Sequence, residues 1–182
     1  MPASLFANGT VASLLNDPSE PPAWFQTISE DAYPVLDKTH DEVSSIVLVS
    51  ESNRANYGLS SDYIGYFAIS NKDDLYSLAE MVNKGYINIK VVLANDIVVN
   101  NDVLDSNGDL NGIPDNYWTP IGTYSNNFSG TFDGNGHTVS GLYFDNTSFG
   151  IYPAGGNYVG LIGYATNATI KNVGVIDSYI NG

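Results

Sequence analysis

The chain contains no cysteine, which excludes disulfides, thiolate zinc sites and cysteine nucleophiles together. Positive charge is scarce: six Lys and Arg stand against 20 Asp and Glu, giving a net charge of −14 over 182 residues. That balance argues against nucleic acid as a partner, because phosphate binding needs clustered basic side chains. Divalent cations suit it better, although an acidic surface also serves solubility alone. No apolar run approaches the roughly 18 residues of a membrane span. The N-terminal string MPASLFANGTVASLL lacks the basic region and long apolar core of a signal peptide, so an exported protein would carry its signal outside this chain.

What is present is globular in kind, with 43% hydrophobic and 14% charged residues. Pro18, Pro21, Pro22 and Pro34 interrupt any long element in the first 40 residues. The β-branched run Ser44 to Ser52, SSIVLVSES, reads as a strand. SNKDDLYSLAEMVNKG reads as a helix: Ser70 or Asn71 caps it, Asp73 and Asp74 suit its positive end, and Gly85 ends it. Leu75, Leu78, Ala79 and Val82 share one face of that helix. Beyond it the chain reads as all β.

The stretch Tyr117 to Phe144, YWTPIGTYSNNFSGTFDGNGHTVSGLYF, mixes frequent glycine with Trp118, Ile121, Phe128, Phe132, Val139, Leu142 and Phe144. Glycine reaches positive φ without steric cost, so the pattern predicts tight turns separated by short strands whose bulky residues point inward. TVSGLYF (138–144) also matches TIKNVGV (169–175) at an offset of 31, pairing Thr138 with Thr169, Val139 with Ile170, Leu142 with Val173 and Phe144 with Val175. Such repeats predict a solenoid in which coils stack. The alternative is two unrelated strands of a sandwich.

The strings WTPIG, FSGTFDGNGHTVSGLYF and YVGLIGYATNATIKNVGV resemble the GLUG-motif repeats of bacterial surface and adhesin-like proteins. The resemblance implies a mainly β fold: a right-handed parallel β-helix (β-solenoid) with one N-terminal capping α-helix and an irregular N-terminal segment. Residues 1–62 would be that segment, with short strands closing a preceding block, and residues 63–182 the helix-capped solenoid. It implies an exported module for attachment and supplies no catalytic motif. A last coil left uncovered would expose sheet edges, so the reading also predicts a piece of a longer polypeptide or self-association through the exposed solenoid end.

Among candidate sites, DSNGDLNGIPD offers alternating oxygen side chains at Asp105, Asn107, Asp109 and Asn111, a bend at Gly112, and Asp115 beyond it. Calcium takes six to eight oxygens, and the spacing is similar to the aspartate-rich loops of thrombospondin-type repeats, with no closing Glu as an EF-hand would have. An Asx-rich turn between strands is the alternative. His137, with Asp133 nearby, reads as structural or surface rather than catalytic, and His40 carries no signal. Tyr63, Tyr66, Tyr117, Tyr143, Tyr152 and Tyr158 are candidates for an aromatic binding face, though most aromatics are core. The functional expectation is a non-enzymatic extracellular bacterial surface module displaying loops to a host glycan or protein receptor. The alternatives are a polysaccharide-active lyase or hydrolase and a purely structural spacer.

Overall fold

The computed structural model describes residues 33–37, 39, 46–145 and 158–182. Its strands are β1 (Val47–Leu48), β2 (Phe67–Ile69), β3 (Lys90–Leu93), β4 (Ile97–Val98), β5 (Thr131–Asp133), β6 (Thr138–Ser140), β7 (Tyr143–Asp145), β8 (Thr169–Lys171), β9 (Gly174–Ile176) and β10 (Tyr179–Asn181). A helix, α1 (Lys72–Asn83), lies between β2 and β3. The strands form three sheets, ordered β1-β2-β3-β5-β8, β4-β6-β9 and β7-β10.

This corrects the expected right-handed parallel β-helix with an N-terminal capping helix. The largest sheet is mixed, because β1 pairs antiparallel with β2 while its other pairs are parallel. The strands run only two to four residues. The helix does not precede the β structure; it joins two hydrogen-bonded parallel strands, β2 and β3. Parallel neighbours need a crossover of about a dozen residues, usually helical, and α1 fills that role.

Local chemistry explains α1 well. Asn71 accepts a hydrogen bond from the Asp74 amide at 3.0 Å, and the Asp74 carboxylate accepts from the Ser70 amide at 2.8 Å. Gly85, at φ +112°, follows the helix as expected. Leu75, Leu78, Ala79 and Val82 are all buried in the core that also holds Val91, Leu93, Ile97, Trp118, Phe128, Phe132 and Val139. Burying each large side chain contributes about 2 kcal/mol. The flank of α1 is fastened by polar groups: Asn83 Nδ2 donates to the Pro120 carbonyl at 3.0 Å, and Tyr76 Oη donates to that of Tyr117 at 2.8 Å.

The predicted repeat register is also corrected. Thr169 lies opposite Thr131, and Ile170 opposite Phe132, whereas Thr138 lies opposite Gly174 and Val139 opposite Val175. The two strings therefore begin in separate sheets. Four residues separate β5 from β6 but two separate β8 from β9, and that shortened turn conceals the true correspondence between TFD and TIK. Of the bulky residues expected to face inward, Trp118, Ile121, Phe128, Phe132, Val139 and Leu142 are buried; Phe144 is half-buried, and Tyr143 beside it is buried instead.

Candidate functional site

Between β4 and β5 the chain makes a long excursion whose base is locked by two asparagines. Buried Asn100 donates from Nδ2 to the carbonyls of Asn116 (2.8 Å) and Gly141 (2.7 Å). Its Oδ1 accepts from the amide and from Nδ2 of Asn116, at 3.0 and 3.1 Å. Both donor and both acceptor positions of the amide are thus used, which removes the cost of burying it. Gly141, at φ +75°, lies so close that a Cβ there would sit 1.9 Å from the Asn100 carbonyl oxygen, so only glycine fits. The carboxylate of Asp177 holds the next stretch by accepting from the amides of Val103 and Leu104, at 3.2 and 2.8 Å.

This frame opens a groove of about 700 Å³, lined by Lys72 at the start of α1, by residues 98–102 and by residues 111–116. The side chains of Asn101, Asp102, Asp115 and Lys72 line it without a hydrogen bond or ion pair to another described residue. Exposed Val98 and Ile113 and half-buried Pro114 add apolar surface. Asp102 holds φ +50°, a left-handed conformation that Asp tolerates better than most residues and that turns the chain along the groove wall. Donors, acceptors and apolar patches side by side suit a polyhydroxylated ligand, whose hydroxyls need both bond types and whose C–H faces need apolar contact.

The predicted calcium loop lies beside this groove and is organised differently from a ligand shell. Asp105 Oδ1 accepts from the amides of Asn107 and Asp109, at 2.8 and 3.0 Å, and Asp105 Oδ2 from Asn107 Nδ2 at 3.4 Å. These bonds, the Asp109 amide first, hold the Asp105 carboxyl below its ordinary range. Asn111 Nδ2 donates to the Asp102 carbonyl at 3.2 Å, and Leu104 bridges Leu110 in antiparallel fashion. Asn111 and Asp115 face the groove, while Asp105, Asn107 and Asp109 are outside its lining. Among the described residues no group of three or more Asp, Glu, His or Cys gathers at metal-binding spacing. The carboxylates of Asp105, Asp109 and Asp115 are thus not gathered as one cluster.

Asp133 and His137 do not form the dyad their spacing suggests. Buried Asp133 accepts from Asn172 Nδ2 and Tyr63 Oη at 3.0 and 3.1 Å, and Lys171 Nζ sits 3.1 Å away. Burial raises this carboxyl, but hydrogen bonds, led by that of the Asn135 amide, outweigh it and hold the group below its ordinary range. His137 Nδ1 instead lies 3.4 Å from Asp96, on the surface. His40 and Tyr152 lie outside the described residues. The remaining tyrosines divide among separate contacts: Tyr63 with Tyr66, Tyr143 with Tyr117 and Tyr179, and Tyr158 with Tyr164. They present no common face.

Sequence reasoning missed the groove's other half, Lys72 and residues 98–102. The run VNND was its only visible signal, since the Asn100 to Asn116 lock spans 16 positions with no local pattern.

No family model matches the chain, and no solved structure matches it. A protein of the bacterium Evansella cellulosilytica, described as "Putative Gly-rich membrane protein", is 34% identical over 64 residues, which are 35% of this chain and 7% of that protein. The match therefore spans a small fraction of the relative's length. No helix among the described residues is long and apolar enough to cross a membrane.

Proposed function

We propose that the chain is a non-enzymatic attachment module of an extracellular bacterial surface, and that it takes the hydroxyls of a glycan into the groove lined by Lys72 and residues 98–102 and 111–116. One observation carries this reading: the side chains of Lys72, Asn101, Asp102 and Asp115 line a groove with a locked floor yet make no hydrogen bond or ion pair to another described residue. Such side chains can pair with a ligand without first giving up a bond to another described residue. The bacterial relative described as a membrane protein and the resemblance to GLUG-motif chains support the surface location. The stacking of 138–144 on 169–175 no longer supports it, because that register is not the observed one.

A glycan array followed by calorimetry on the best binder tests the proposal. Asn101→Ala and Asp115→Ala are expected to weaken binding about tenfold each while leaving the melting temperature unchanged, as loss of a ligand hydrogen bond of about 1–1.5 kcal/mol would. Binding unchanged in both variants, or no glycan bound, rejects the groove. Release of reducing ends from a bound polysaccharide, lost in Asp102→Asn, replaces attachment with hydrolysis.

A further inference from the structure

We propose that Asn111–Gly112 is a site of spontaneous deamidation, a covalent change that turns part of the groove wall from amide to carboxylate. An asparagine followed by glycine can close on itself, because no Cβ hinders the glycine nitrogen as it reaches the side-chain carbonyl carbon. Three such pairs occur between residues 46 and 145: Asn107–Gly108, Asn111–Gly112 and Asn135–Gly136. All six residues are exposed, and a Cβ at any of the three glycines would meet nothing within 4 Å. Space therefore does not distinguish the pairs.

The attacking amide does. The Gly108 N–H donates to the Asp105 carbonyl at 3.0 Å, and that of Gly136 to the Asn172 carbonyl at 2.9 Å. Asn135 is held further: its amide donates to Asp133 Oδ1 at 2.9 Å, and its Oδ1 accepts from Tyr63 Oη at 3.1 Å. The Gly112 N–H makes no hydrogen bond to another described residue. Of the three glycine nitrogens it alone attacks without surrendering such a bond.

The step balances with water as the co-reactant. The Gly112 nitrogen bonds to Asn111 Cγ, its proton passes to Nδ2, and the Cγ–Nδ2 bond breaks, so that ammonia leaves a cyclic succinimide. Water then opens the ring at either carbonyl, adding hydroxyl to carbon and a proton to nitrogen, and leaves an aspartyl or isoaspartyl residue at position 111. The bond that Asn111 Nδ2 donates to the Asp102 carbonyl, at 3.2 Å, is lost. The lining gains a carboxylate beside Asp102 and Asp115, opposed by Lys72 alone. The modification stands whether or not the groove takes a glycan.

Peptide mapping by mass spectrometry of the full 182-residue chain, aged at mildly alkaline pH in buffer and in urea, is the test. In buffer, position 111 is expected to accumulate the amide-to-acid mass change severalfold to about tenfold faster than 107 and 135, the factor that one hydrogen bond is worth. In urea the three rates should converge, because the native bonds are gone. Ion exchange should show an acidic form that grows at the rate read at 111 and is much slower to appear in Asn111→Gln, whose longer side chain would have to close a larger ring. Equal rates in buffer, or faster conversion at 107 or 135, overturn the proposal. An excess at 111 that persists unchanged in urea also overturns it, by assigning the rate to the local sequence rather than to the free amide.

Discussion

The two ends of the largest sheet are built from similar residues and have opposite fates. At the β2 end, β1 lies alongside and α1 adds Leu75, Leu78 and Val82 to the core, so Ile69, Val91 and Leu93 are fully buried. At the β8 end, Ile170 has the same chemistry and sits in register with buried Phe132, yet it remains half in water. Burial here is set by whether another layer follows, not by the side chain. The sharpest way to break this comparison is a pair of truncations. Phe132→Ala should cost about 3–5 kcal/mol in urea unfolding, since it empties a filled site, whereas Ile170→Ala should cost about 1 kcal/mol or less. Similar costs at both positions would mean that the β8 end is as well covered as the β2 end.

The covered end also holds a carboxyl whose acidity burial weakens. Burial raises the Asp74 carboxyl from its ordinary 3.8 to about 6, against the opposing pull of its hydrogen bonds from Ser70 and Asn71. A raised acid favours its protonated form in the folded state. Its contribution to stability is therefore complete below about pH 4 and is lost as pH rises to about 6, a decline on the order of 2–3 kcal/mol. Asp133, Asp96 and Asp105 shift the other way, and their contributions are lost as pH falls below about 4. Comparing Asp74→Asn with the parent chain isolates the single group. The variant should lose the decline between pH 4 and 6, and equal slopes for the two proteins would place Asp74 in water rather than in the buried first turn of α1.

What the sequence made legible follows from the range of each interaction. The face of α1, its Asn71 cap and its Gly85 terminus were readable because a helix closes its bonds within four residues. The buried set from Trp118 to Leu142 was readable because glycine turns and bulky residues alternate locally. Register was not: Thr-apolar-polar strings recur at 131, 138 and 169, and the two-residue difference between turns decides among them. The antiparallel β1 and the crossover role of α1 were equally hidden, since both depend on which strands are neighbours. In the groove, Asn111 and Asp115 were visible as oxygen-rich loop residues, but the Asn100 lock and Lys72 come from distant segments that only folding brings together.

The loop at 105–115 is where local legibility supports two readings at once, and it gives the smallest expected effect. Alternating Asp and Asn is what a calcium loop needs, and it is also what successive Asx turns need, because the same carboxylate oxygens that would ligate a cation can accept main-chain N–H bonds. In this fold Asp105 accepts them from Asn107 and Asp109, and the turn closes through Gly108, which donates to the Asp105 carbonyl at 3.0 Å. A loop stabilised in this way needs no ion to offset its charge. Excess chelator should therefore leave the melting temperature unchanged, while Asp105→Ala, which removes the three bonds its carboxylate accepts in an exposed turn, should lower the melting temperature slightly. A fall in melting temperature on chelation that Asp105→Ala abolishes would show instead that this loop, unlike the covered and open strand ends, draws its order from a bound cation.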